Sequence, residues 1–65
     1  MDQEPIKQVT RKELKNIIND RLPKGLFTSY DRYSNRWIAV DNIGANPIVE
    51  EFDAEEQANY FLRFM

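Results

Sequence analysis

Neither cysteine nor histidine occurs among the 65 residues. Without cysteine there can be no disulfide, no thiolate nucleophile and no thiolate metal site. Without histidine the usual general base near neutral pH is missing, and Ser29 and Ser34 have no imidazole to activate them. Glycine is limited to Gly25 and Gly44, so no glycine-rich loop is present to cradle a phosphate. The longest apolar run, Trp37-Ile38-Ala39-Val40, is far shorter than the ~20 residues of a membrane-spanning helix. The polar start, Met1-Asp2-Gln3-Glu4-Pro5, leads into no apolar core, so a secretory signal is not expected. A chain without cysteine fits a reducing cytoplasm, the compartment we expect for it.

What is present is enough to fold. Hydrophobic residues make up 42% of the chain and aromatics 12%, too apolar a mixture for disorder. The length allows one domain, burying about 60% of its unfolded surface, so stability has to come from packing. The net charge of −2 conceals an uneven layout. Residues 1–36 carry eight Lys/Arg against five Asp/Glu, and residues 37–65 carry Arg63 against six acids. Such asymmetry can steer a charged partner.

Residues 1–8 show no periodicity and read as a flexible tail, leaving residues 9–65 as the single domain. Thr10-Arg11-Lys12-Glu13 has the T-x-x-E form of a capping box. Behind it Leu14, Ile17, Ile18 and Leu22 recur at helical spacing, and Pro23 stops the helix at about Arg21. Pro23-Lys24-Gly25 is a turn. Leu26–Tyr30, Trp37–Asp41 and Ile48–Phe52 favour strands, separated by a polar hairpin loop over residues 31–36 and a reversal around Gly44. Pro47 cannot donate within a ladder, which marks the last strand as an edge. Asp53 is placed to cap a second helix through residues 53–64, with Ala58, Phe61, Leu62 and Met65 forming its stripe. The expected fold is α+β: one small domain, α-β-β-β-α, with a three-stranded antiparallel meander and two helices on one face. Ile38, Val40, Val49 and Phe27 share one strand parity and are placed beneath the helices. Trp37, Ala39, Tyr30, Thr28 and Glu50 share the other, expected on an open face.

Carboxylate chemistry is the remaining catalytic option. Glu50 and Glu51, adjacent on a strand, point to opposite faces, while Asp53, Glu55 and Glu56 serve a helix start. Glu51, Asp53 and Glu56 match no calcium-loop spacing. No catalytic residue, no cofactor-binding residue and no metal ligand is assigned; the chain reads as no enzyme and without cofactor. The leading reading is a small protein-binding module, acting through Tyr30, Tyr33, Arg36, Trp37 and Ala39 or through the acidic edge Glu50, Glu51 and Asp53. The alternative is a nucleic-acid-binding module using the basic face of the first helix (Arg11, Lys12, Lys15) with the hairpin arginines Arg32 and Arg36, because phosphate contacts need such clustered charge. An unidentified protein partner, no membrane, and a monomer or weak homodimer complete the expectation, the last because Phe64 and Met65 end the chain with apolar side chains.

The element order resembles that of double-stranded-RNA-binding domains, which read RNA shape with a first helix, a strand–strand loop and a lysine-rich start to the last helix. Here the loop over residues 31–36 lacks that family's Gly-Pro-x-His pattern, and the last helix opens Asp53-Ala54-Glu55-Glu56, which repels phosphate. Trp37, Gly44, and Phe52 with Ala58 are similar to the strand-strand-strand-helix arm-binding modules of tyrosine recombinases, which implies DNA contact through the sheet; only Arg32 and Arg36 stand there to make it. Finally, residues 37–42 followed by Val49-Glu50-Glu51-Phe52 and an alanine-containing helix look like small phage and prophage proteins, which implies a modulator of a host protein.

Overall fold

Thr10 and Glu13 begin the first helix as a reciprocal pair. The Thr10 hydroxyl accepts the Glu13 backbone N–H at 3.1 Å, and the Glu13 carboxylate accepts the Thr10 N–H at 3.1 Å. In the computed structural model, which describes residues 4–64, this cap opens α1, Arg11–Asp20. Arg21 closes it in the left-handed region (φ 59°), donating its N–H to the Ile17 carbonyl at 2.8 Å. Leu22, expected to complete the apolar stripe, lies beyond the helix and is exposed; Leu14 and Ile17 carry the buried face.

Three strands follow as the expected antiparallel meander: β2 (Gly25–Asp31), β3 (Arg36–Asn42) and β4 (Ile48–Phe52). The register sets Phe27 beside Val40 and Val40 beside Val49, and likewise Tyr30 beside Trp37 and Trp37 beside Phe52. The two parities therefore segregate to two faces as the sequence pattern requires. Asn42, fully buried, donates its amide to the Pro23 carbonyl at 2.9 Å, fixing the end of β3 against the turn that leads into β2.

Two expectations are corrected. Residues Ile6–Gln8 are not tail but a strand, β1, paired parallel to β2 with Ile6 beside Leu26 and Gln8 beside Thr28. The sheet is four-stranded and mixed, in the order β1-β2-β3-β4, and the element order is β-α-β-β-β-α. The α+β class stands. A parallel pair needs a crossover, which α1 supplies. Three residues are too few to reveal alternation, so the strand is invisible to local reading.

The second correction concerns the helices. Leu14 and Ile17 of α1 pack on Phe27 and Val40. The last helix, α2 (Glu55–Phe64), packs Ala58 and Leu62 on Leu26 and Ala39, with Trp37, Phe52 and Phe61 around them. Strand alternation places those two sets on opposite sides, so the sheet is sandwiched rather than covered on one face. The cause is that β2 and β3 are apolar on both sides, and an open face carrying Leu26, Ala39 and Trp37 would leave much apolar surface in water. Met65 of the predicted stripe lies outside the described residues.

The start of α2 also shifts. Asp53 does not cap it: the Ala54 carbonyl accepts the first helical N–H, from Ala58 at 3.3 Å. The Asp53 carboxylate instead meets Arg36 at 2.8 Å, and its own N–H goes to the Gln57 side chain at 3.2 Å.

Candidate functional site

Four strands, each taking up about 4.8 Å, make a ribbon about 19 Å wide, and a helix with side chains is about 10 Å across. One helix thus covers about half of a face. On its face α1 lies over β2 and the near side of β3, and β4 is left bare there: Val49 is 42% exposed, although it sits directly beside fully buried Val40. The result is an open groove of about 1240 Å³ between α1, the β2–β3 hairpin and β4.

The floor of the groove is apolar, formed by Ile18 on the flank of α1, Ile38 of β3 and Val49 of β4. Beneath it lies Ser29, 1% exposed, whose hydroxyl has no hydrogen-bond partner among the described residues. The rim is basic. Arg11 and Lys15, one helical turn apart, line the groove together with Lys12 and, from the hairpin, Arg32. Lys12, Lys15 and Arg32 are exposed and form no ion pair among the described residues. The two acids that line it are already engaged, Glu13 in the helix cap and Glu51 with Arg36 at 3.3 Å.

The hairpin tip is held firmly against the start of α1. The Asp31 carboxylate accepts the Tyr33 backbone N–H at 3.0 Å and the Ser34 hydroxyl at 3.1 Å, and Arg11 stands 3.8 Å away. The Tyr33 N–H chiefly, with the Ser34 hydroxyl and Arg11 guanidinium assisting against partial burial, holds this carboxyl below its ordinary range. The Arg11 guanidinium also lies 5.5 Å over the ring of Tyr33, a cation–π geometry that leaves the ring 88% exposed at the groove mouth.

The residues singled out from sequence separate into three places. Arg11, Lys12, Lys15 and Arg32 come together on the groove, with Tyr33 beside them. Arg36 does not join them; it forms an ionic cluster with Glu51 and Asp53. Tyr30 and Trp37 stack on the other face with ring centres 5.3 Å apart, Tyr30 donating its hydroxyl to the Asn35 side chain at 2.9 Å. Trp37 is half-buried under α2 and Ala39 fully buried, so the open face expected around them is occupied. Glu50 is exposed on edge strand β4. Sequence reasoning missed Ile18, Ile38, Val49 and Ser29 as a groove floor, since strand parity places Ile38 and Val49 under a helix.

A second surface lies outside α2. Phe52, Tyr60, Phe61 and Phe64 surround a shallow concavity of about 630 Å³, with Phe52 against Phe61 at 5.3 Å and Tyr60 against Phe64 at 4.7 Å between ring centres.

Among the described residues no three His, Cys, Asp or Glu side chains gather as metal ligands, and no helix is long and apolar enough to cross a membrane. The fold and groove define a small α+β domain that presents a basic-rimmed apolar groove. The chain matches no protein-family model, no curated protein and no solved structure at a significant level.

Proposed function

We propose that this chain is a small, non-catalytic protein-binding module whose docking surface is the groove between α1 and β4. The observation that carries the reading is the uncovered half of the sheet, where Val49 and Ile38 present apolar surface beside Lys12, Lys15 and Arg32, which form no ion pair among the described residues. Apolar floors ringed by polar groups are what protein contacts desolvate and rim, and a groove this open suits a segment of polypeptide better than a small molecule enclosed on most sides. With no histidine or cysteine in the chain, recognition rather than turnover is the activity such a site supports. A phage-type modulator that occupies a host protein needs no more machinery than this.

The cysteine-free sequence allows a clean test. Val49→Cys places one thiol on the floor and Leu22→Cys places one outside the groove. With a benzophenone maleimide on each, we expect irradiation in a lysate of the source cells to join one polypeptide to the Val49 position and not to the Leu22 position. Equal labelling from both, or none from Val49, rules the groove out as a docking surface.

Nucleic-acid binding is the second reading, favoured by the gathering of Arg11, Lys12, Lys15 and Arg32 on one groove. Phosphate contact uses those cations but has no use for the apolar floor, and Arg36 is diverted to Glu51 and Asp53. Duplex or single-stranded probes that shift the α1 amide signals at about 50 mM salt, where phosphate contacts are strong, would reverse the order of the two readings.

A further inference from the structure

We infer that the occupant of the groove is an acidic amphipathic helix contributed by the partner protein, lying beside α1 over β3 and β4. This rests on the docking reading above and adds the conformation and charge of the bound segment.

The conformation follows from where the groove lies. It is on a face of the sheet, not at an edge, so the strands below offer the newcomer no backbone hydrogen bonds. A segment buried there has to satisfy its own N–H and C=O groups, which a helix does internally and a lone strand does not. The space agrees. α1 covers about half of a ribbon about 19 Å wide, and the part left open is about one helix wide. Ile18, Ile38 and Val49 then provide a strip against which an i, i+3, i+4, i+7 apolar stripe can pack.

The charge follows from the rim. Lys12, Lys15 and Arg32 line the same groove without acid partners among the described residues, while Glu13 and Glu51 are engaged elsewhere. A helix with carboxylates flanking its apolar stripe meets those cations; a basic one meets only repulsion. A second copy of this chain does not qualify through α2, whose first turn is acidic but whose apolar stripe, Ala58 and Leu62, is already spent on the sheet.

The test uses the full chain and two designed peptides of about 16 residues, long enough to hold helix. Both carry leucine at i, i+3, i+4 and i+7; one has Glu and the other Lys at the flanking positions. Nuclear magnetic resonance titration to about 1 mM should show the Glu peptide shifting Ile18, Ile38 and Val49, with the Lys peptide silent. Lys12→Glu with Lys15→Glu should weaken the Glu peptide at least about tenfold and admit the Lys peptide in its place. No shifts, shifts centred on Tyr60 and Phe64, equal binding of a Glu peptide with its leucine stripe scrambled, or tighter binding of a DNA duplex of about 20 base pairs at about 150 mM salt each overturn the inference. Failure here with a Val49-specific cross-link leaves the docking reading intact and removes only the acidic helix; failure of both experiments removes both.

Discussion

The guanidinium of Arg36 sits 2.8 Å from the Asp53 carboxylate and 3.3 Å from that of Glu51, tying the first residue of β3 to the end of β4 and the approach to α2. Two carboxylates from one end of the sheet thus share a single guanidinium on the surface, leaving the cluster with a net charge of −1. Exposed ion pairs of this kind contribute about 0–1 kcal/mol. Arg36→Ala should therefore lower unfolding free energy by less than about 1 kcal/mol in urea at low salt, with the difference shrinking as salt rises. A larger, salt-independent loss would mean that the side chain stabilises through packing instead.

A pH dependence follows from two carboxylates. Glu13 is held below its ordinary value, first by the Thr10 backbone N–H and then by the Thr10 hydroxyl; Asp31 is held low chiefly by the Tyr33 N–H. Unfolding returns both to the ordinary range near about 4, so the unfolded chain binds more protons there. Their contribution is complete above that range and is lost as pH falls through the lower folded values. With no histidine in the chain, the urea midpoint should stay level from about pH 6 to 8 and fall between about pH 5 and 2. Asp31→Asn should flatten part of that slope. Separately, Thr10→Ala at pH 7 should cost about 1 kcal/mol through loss of the cap.

The sandwich arrangement predicts independence of its two layers. Ile17 lies under α1 against Phe27 and Val40, whereas Ala58 brings α2 onto Ala39 from the other side. Ile17→Val should cost about 1 kcal/mol and Ala58→Gly about 1 kcal/mol, and the double variant should equal their sum within about 0.5 kcal/mol. Two helices in contact on one face would instead show coupling beyond that margin, measured by the same denaturation curves.

What the sequence makes legible is local. Thr10 and Glu13 are three residues apart, so their cap can be read without knowing anything else, and β4 falls on residues 48–52 because Pro47 and Asp53 bracket it. Strand parity likewise sorts Phe27, Val40 and Val49 from Ala39 and Trp37. It cannot say which set a helix covers when both sets are apolar, and here both are covered. The misreadings are all non-local. β1 exists only through Leu26 and Thr28 of a strand some twenty residues away. Asp53 looks like a cap until Arg36 competes for it from across the sheet.

The candidate site divides in the same way. Arg11 and Lys15 are legible as one helix face from their spacing alone. Their meeting with Arg32, Ile38 and Val49 depends on how far α1 reaches across the ribbon, a distance no local pattern encodes. Strand parity puts Tyr30 and Trp37 on one face, expected to be open; the two rings do touch, but α2 closes over the indole.

Ser29 separates stability from docking. Its hydroxyl is buried under the groove floor beside Ile38 across the β2–β3 ladder and has no hydrogen-bond partner among the described residues. A buried, unpaired hydroxyl costs about 1–3 kcal/mol in lost solvation, and removing it while keeping the shape relieves that cost. Ser29→Ala should thus leave the free chain as stable or more stable by up to about 1 kcal/mol, read from urea midpoints. The same change should leave binding of the Glu-flanked peptide unchanged, because a hydroxyl closed off beneath the floor meets no acceptor on a leucine stripe. A variant that loses stability would show that the hydroxyl is already bonded in the free protein. One that binds the peptide more weakly would show that the floor opens to expose the hydroxyl on docking, whereas unchanged binding leaves recognition to the apolar strip and the cations of α1.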